Sequence, residues 1–93
     1  MFNIFKPKQP ADLIYFSKVK YDVVVYIMNF YILNHYTPTL LEIGKQFNFT
    51  RARAGKIVSE LYKLGFITKG KSTHRRIRLD EDQISLINTI NFN

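Results

Sequence analysis

Nine basic side chains lie in the stretch FTRARAGKIVSELYKLGFITKGKSTHRRIRL, residues 49–79. They are Arg51, Arg53, Lys56, Lys63, Lys69, Lys71, Arg75, Arg76 and Arg78. Glu60 alone opposes them, so the stretch holds more net charge than the +7 of the whole 93-residue chain. The chemistry such residues do is anion recognition. Arginine and lysine donate to phosphate oxygens, and both reach O6 and N7 of guanine in a major groove. An isoelectric point near 9.8 points to a polyanionic partner, either nucleic acid or an anionic membrane surface.

Other chemistries find little material. The chain has no cysteine, which removes disulfides and thiolate metal sites. His35 and His74 are its two histidines and stand far apart in sequence, so no zinc site is expected. Asp80, Glu81 and Asp82 could be taken for cation ligands. At the start of a helix they more simply complement its dipole. No Ser/His/Asp set, glycine-rich phosphate loop or paired catalytic carboxylates can be assembled. Neither catalytic residues, a cofactor nor enzyme activity is expected.

Local signals then say which elements carry the basic residues. A chain of this length makes one domain with a modest core. Residues 1–16 read as an N-terminal arm carrying Pro7 and Pro10, residues 17–79 as the core, and residues 80–93 as a C-terminal helix. Ser17 is an N-cap, with Phe16 before it as a staple residue. From Lys18 to Asn34 the period is helical, with Val23, Val24, Ile27, Phe30 and Tyr31 on one face. Thr39 and Glu42 form a capping box for a second, short helix running to Phe47. Asn48 stands at a sharp turn, where a left-handed conformation is needed. Thr50 caps a third helix, whose Ala54, Ile57, Val58 and Leu61 fall at i, i+3, i+4 and i+7 and form a buried stripe. Gly65 ends it. Phe66-Ile67-Thr68 reads as a strand, 69–73 as a turn, and Arg76-Ile77-Arg78-Leu79 as a half-buried strand. Asp80 caps a last helix, with Gln83 at N3 and Ile84, Ile87 and Ile90 along it. Two short helices joined by a three-residue turn and followed by a basic hairpin make a helix-turn-helix with a wing. The expected fold is mainly α with a small β-hairpin, an α+β winged helix-turn-helix.

The segment FSKVKYDVVVYIMNFYILNHYTPTLLEIGKQFNFT resembles the N-terminal DNA-binding domain of LexA-type repressors. The family's Pro-Pro-Thr-x-x-Glu-Ile motif corresponds to Thr37-Pro38-Thr39-Leu40-Leu41-Glu42-Ile43. FTRARAGKIVSELYKLGFI is similar to the recognition helix of MarR-type regulators, and RRIRL resembles the returning wing strand of both. The resemblance spans residues 16–79. Asn48 departs from it by replacing the glycine usual in the turn. The arm and last helix have no LexA-type counterpart and look more like the flanking elements through which small winged-helix regulators dimerise. LexA-type repressors carry a self-cleavage domain after the wing. The chain ends before one could fit, so self-cleavage is not expected.

Within that frame, Thr50, Arg51, Arg53, Gly55, Lys56, Ser59 and Lys63 lie away from the apolar stripe and are the expected DNA contacts of the third helix. Gly55 inside a helix costs about 0.5–1 kcal/mol relative to alanine, and a close approach to DNA is a reason to keep it. The plainer alternative is a solvated helix face with a tolerated glycine. Lys69, Lys71 and Arg75, with His74 beside them, suit phosphate contacts from the wing. An edge hairpin protected by lysines is the alternative there.

The first helix is apolar nearly all round, since Tyr21, Val25, Tyr26, Met28, Ile32 and Leu33 lie off its core stripe. It is therefore expected to be buried on all sides and to build a homodimer, with Tyr26, Met28 and Leu33 as candidate contacts. Folding back of the arm (Phe2, Ile4, Phe5) and of the last helix within one chain is the other way to cover it.

The expected partner is double-stranded DNA and the expected role a repressor on an inverted repeat, in the cytoplasm with its DNA. A small-molecule effector is not indicated. The alternatives are a sequence-tolerant architectural or packaging protein of a virus or plasmid, and a winged-helix protein-interaction module. The longest apolar run is too short to span a bilayer, and charge follows rather than precedes the apolar N-terminus, so neither a membrane span nor a signal peptide is expected.

Overall fold

The computed structural model describes residues 17–70 and 77–90. Residues 1–16, expected as an arm, residues 71–76 with Lys71, His74 and Arg75, expected at the wing, and residues 91–93 lie outside the described residues. The element order is α1 (Lys18–Asn34), α2 (Leu40–Phe47), α3 (Arg51–Leu64), β1 (Thr68–Lys69), β2 (Ile77–Arg78) and α4 (Glu81–Asn88). The protein is thus mostly helical with a small antiparallel hairpin, an α+β fold compatible with a winged helix.

Each helix begins on the cap its sequence supplies. Ser17 Oγ accepts from the Lys20 amide at 3.1 Å. Thr39 Oγ1 accepts from Glu42 N at 3.1 Å while the Glu42 carboxylate accepts from Thr39 N at 2.8 Å. Thr50 Oγ1 accepts from Arg53 N at 3.1 Å. Asp80 and Gln83 close a second reciprocal box at 3.0 and 3.1 Å. These bonds satisfy amides that the helices themselves leave without partners.

The helix ends are equally local. α1 stops at His35, which takes a left-handed conformation at φ 66°. α2 stops at Asn48, φ 59° and ψ 45°, and the chain turns into α3 within three residues. Gly44 makes that turn possible. A Cβ there would stand 2.9 Å from the Phe49 carbonyl oxygen, so a side chain would push the backbone apart. Gly65, at φ 86°, ends α3. Gly65 N then bonds Tyr62 O and Phe66 N bonds Leu61 O, both at 3.1 Å, which is a Schellman motif.

That motif moves the first strand. The sequence suggests 66–68, yet pairing begins at Thr68, opposite Arg78, and continues with Lys69 opposite Ile77. Phe66 has committed its N–H to Leu61, so that amide does not donate to the ladder. Phe66 and Ile67 are instead buried in the core.

The core joins Val23, Val24 and Ile27 of α1 to Ile43 of α2, to the Ala54/Ile57/Val58/Leu61 stripe of α3, and to Ile77, Leu79 and Ile87. α1 packs on both α3 and α4, so its buried face is wider than one stripe. Met28, expected off the core, is therefore inside it at 8% exposure. Phe30 and Tyr31, expected in it, are half-buried at its edge. Nor is α1 covered all round, because Ile32 and Leu33 are 53% and 79% exposed. Thr37 Oγ1, buried, donates to Ile77 O at 2.6 Å and ties the start of α2 to the hairpin. Gln83 Nε2 donates to Thr68 Oγ1 and ties α4 to the same hairpin. Among the described residues no helix is long and apolar enough to cross a membrane.

Candidate nucleic-acid interface

At about 100° per residue, the buried stripe of α3 leaves Ala52, Lys56, Ser59 and Lys63 on the opposite side of the helix. All four are exposed. Two are cations and two are small, so the middle of this face combines charge with room for close approach. Arg51 and Gly55 flank it on the side of α2 and the hairpin. Arg53 and Glu60 flank it on the side of α1. Thr50, exposed, stands at the head of the helix as its cap.

The α2 flank is a cleft of about 500 Å³. Leu40 and Leu41 of α2, Arg51, Gly55, Ser59 and Tyr62 of α3 and Lys69 of β1 line it. Among the described residues no carboxylate lines it. A Cβ on Gly55 would meet Leu40 Cδ1 at 3.7 Å, an ordinary contact. Helix packing thus demands glycine at Gly44 and does not demand it at Gly55. The glycine at 55 keeps the cleft floor open beside the basic face.

The α1 flank is different. Lys20 Nζ lies 3.4 Å from Glu60 Oε1, so the single acid of α3 is already opposed. Arg53 folds over the Phe49 ring, with Cζ 4.4 Å from the ring centroid. Among the described residues none of Arg51, Arg53, Lys56, Lys63 and Lys69 has a carboxylate partner within 4.0 Å. These five charges are open to an external anion.

The structure therefore gathers Thr50, Arg51, Arg53, Gly55, Lys56, Ser59, Lys63 and Lys69 around one helix and one strand. Lys71 and Arg75 lie outside the described residues. Sequence reasoning overlooked Lys20, Leu41, Tyr62 and Phe49. Lys20 and Tyr62 join this surface through packing between elements, which no local pattern encodes. Phe49 carried a weak local signal: it stands four residues before Arg53, across the cap.

Two of the three candidate dimer contacts are engaged within the chain. Tyr26 packs edge-on against Phe47 of α2, with centroids 5.5 Å apart. Burial raises its phenol pKa above the ordinary value, and the Glu42 carboxylate adds to the shift. Tyr26 thus belongs to the α1–α2 contact, and Met28 to the core, leaving Leu33 exposed. Tyr36 is 47% exposed, and its ring centroid lies 5.7 Å from that of Phe30.

No protein-family model matches this chain, and no curated protein matches it significantly.

Proposed function

We propose that this chain is a winged helix-turn-helix protein that binds duplex DNA and represses transcription as a homodimer on an inverted repeat. The observation that carries the reading is the exposed face of α3. It presents Arg51, Arg53, Lys56 and Lys63 with Glu60 neutralised by Lys20, it follows a three-residue turn from α2, and Lys69 of the hairpin flanks it. A helix so placed offers its N-terminal half to a major groove, while the hairpin cations meet phosphates. The mechanism needs no covalent chemistry: an occupied operator excludes polymerase.

The dimer forms through the end of α1, where Ile32, Leu33 and Tyr36 are exposed and no charged side chain occurs between Val23 and Leu41. For copies of a +7 chain, a surface free of charge is where approach is least opposed. The same exposed residues suit a protein-interaction module, which would show no salt-dependent DNA binding.

Selection of bound sites from random duplexes at stated salt tests the reading. An inverted repeat enriched over competitor DNA is the expected result. Binding without any enriched sequence would instead indicate an architectural protein. Arg53→Ala should weaken the selected site by about 1–3 kcal/mol and relax preference at one position per half-site.

A further inference from the structure

We infer that Phe49 is a positioning residue, which sets the plane of the Arg53 guanidinium for a bidentate acceptor on bound DNA, either a guanine edge or a phosphate. The inference rests on the DNA-binding reading above.

Arg53 is exposed, and an exposed arginine ordinarily samples many rotamers. Here its Cζ sits over one ring, 4.4 Å from the centroid, close enough for the guanidinium to stack. That ring is itself held by neighbouring rings. Phe49 stacks on Phe47 with centroids 5.5 Å apart and planes 20° from parallel, and Phe47 in turn meets Tyr26 edge-on. The Phe49 backbone is held as well. Its N–H donates to Gly44 O at 2.8 Å, and its carbonyl fills the space where a Gly44 Cβ would be. The platform under Arg53 is thus fixed through the turn, through α2 and through α1.

Stacking engages the face of a guanidinium and leaves its in-plane N–H donors free. Among the described residues no side-chain donor of Arg53 has an acceptor. An oriented fork with free donors matches an acceptor pair in one plane, as guanine O6/N7 or two phosphate oxygens present. Helix stability does not explain the arrangement, because a cation in the first turn opposes the dipole of α3. A lysine at 53 would supply the charge without the fork.

The test measures affinity for a selected site and for a random duplex, at two salt concentrations, with thermal denaturation of every variant. Phe49→Leu should weaken the selected site two- to five-fold, roughly the effect of an exposed cation–π contact. Loss on the selected site alone identifies a guanine edge, and equal loss on both duplexes identifies a phosphate. Phe49→Tyr should bind as the wild type does. In an Arg53→Ala background, Phe49→Leu should change nothing further, since its effect passes through the missing guanidinium. Arg53→Lys should lose a measurable part of what Arg53→Ala loses, because it keeps the charge and not the fork.

The idea fails if Phe49→Leu binds normally, if its loss persists undiminished without Arg53, or if lysine replaces Arg53 without loss. The last comparison leaves the platform untouched and remains decisive should Phe49→Leu not fold. A wild-type protein with no salt-dependent binding to any duplex would remove the DNA reading and this inference together. Normal wild-type binding with an indifferent Phe49→Leu would remove the inference alone.

Discussion

α3 and α4 start in the same way and are charged in opposite ways. Thr50 and Asp80 are both extended residues whose side chains accept from the amide three positions on. α4 follows its cap with Glu81 and Asp82, and Gln83 closes the box. α3 follows its cap with Arg51 and Arg53 and has no acid in its first turn. Carboxylates at a helix start favour the dipole by about 0.3–1 kcal/mol each, and cations there oppose it by similar amounts. α4 is therefore charged as a helix optimised for its own stability. α3 is charged against its own stability, in the direction an external anion would reverse. The contrast separates a fold-stabilising terminus from one suited to a ligand, within one small protein and without appeal to relatives.

Exchanging the charge at the head of α3 should have the largest effect. Arg51→Glu is expected to weaken duplex binding roughly ten- to a hundred-fold at low salt. It should also stabilise the free protein by about 0.3–1 kcal/mol, because the new carboxylate agrees with the dipole. Titration and thermal denaturation of the same sample read both signs. If affinity and stability fall together, Arg51 is a structural residue and the contrast with α4 collapses.

The mirror experiment is on α4. Asp80→Ala removes the carboxylate that accepts from Gln83 N, leaves the backbone N–H of residue 80 that donates to Gln83 Oε1, and should cost about 0.5–2 kcal/mol of stability. Duplex affinity should not change at a temperature where the variant is folded. A large loss of binding there would place α4 in the interface.

These two termini also show what a sequence can and cannot carry. Ser17, Thr39, Thr50 and Asp80 were legible as caps because the bond each makes spans three residues. Asn48, Gly65 and the Ala54/Ile57/Val58/Leu61 stripe were legible for the same reason of locality. The basic face of α3 followed from that stripe, since whatever is not buried on a helix must point away. What failed was decided between elements. Met28 is in the core because α1 packs on both α3 and α4, and nothing near Met28 in sequence encodes where those helices lie. Phe66 and Ile67 have strand-like composition, but the bond from Phe66 to Leu61 took the amide a ladder would need. The placement of Arg53 over Phe49 depends on the neighbouring rings of Phe47 and Tyr26, three elements meeting at one turn.

A smaller effect is expected at the hairpin. Lys69→Gln should lower the slope of log affinity against log salt by about one unit, and do so equally on selected and random duplexes. An altered sequence preference with an unchanged slope would make β1 a reader of bases and would widen the contrast to include the cleft between Lys69 and Arg51.

The smallest effect tests the one acid on α3. Glu60 interrupts an otherwise basic helix, and it is opposed by Lys20 at 3.4 Å, with the two side chains 38% and 24% exposed. A pair this accessible to water contributes on the order of 0–1 kcal/mol. Its value to the fold is therefore slight, while its value to the surface is to hold Lys20 on the protein and to cancel one charge beside Arg53. Glu60→Gln keeps the shape of the side chain and releases both restraints. Stability should fall by no more than a few tenths of a kcal/mol. Affinity for random duplex should rise two- to five-fold, and the salt slope should steepen by up to about one unit as Lys20 becomes free to meet a phosphate. Because that gain is independent of sequence, the ratio of selected to random affinity should narrow. Glu60 then limits indiscriminate binding on the very helix whose start favours an anion. If Glu60→Gln leaves affinity and slope unchanged, the Lys20–Glu60 pair lies outside the interface and does not limit indiscriminate binding.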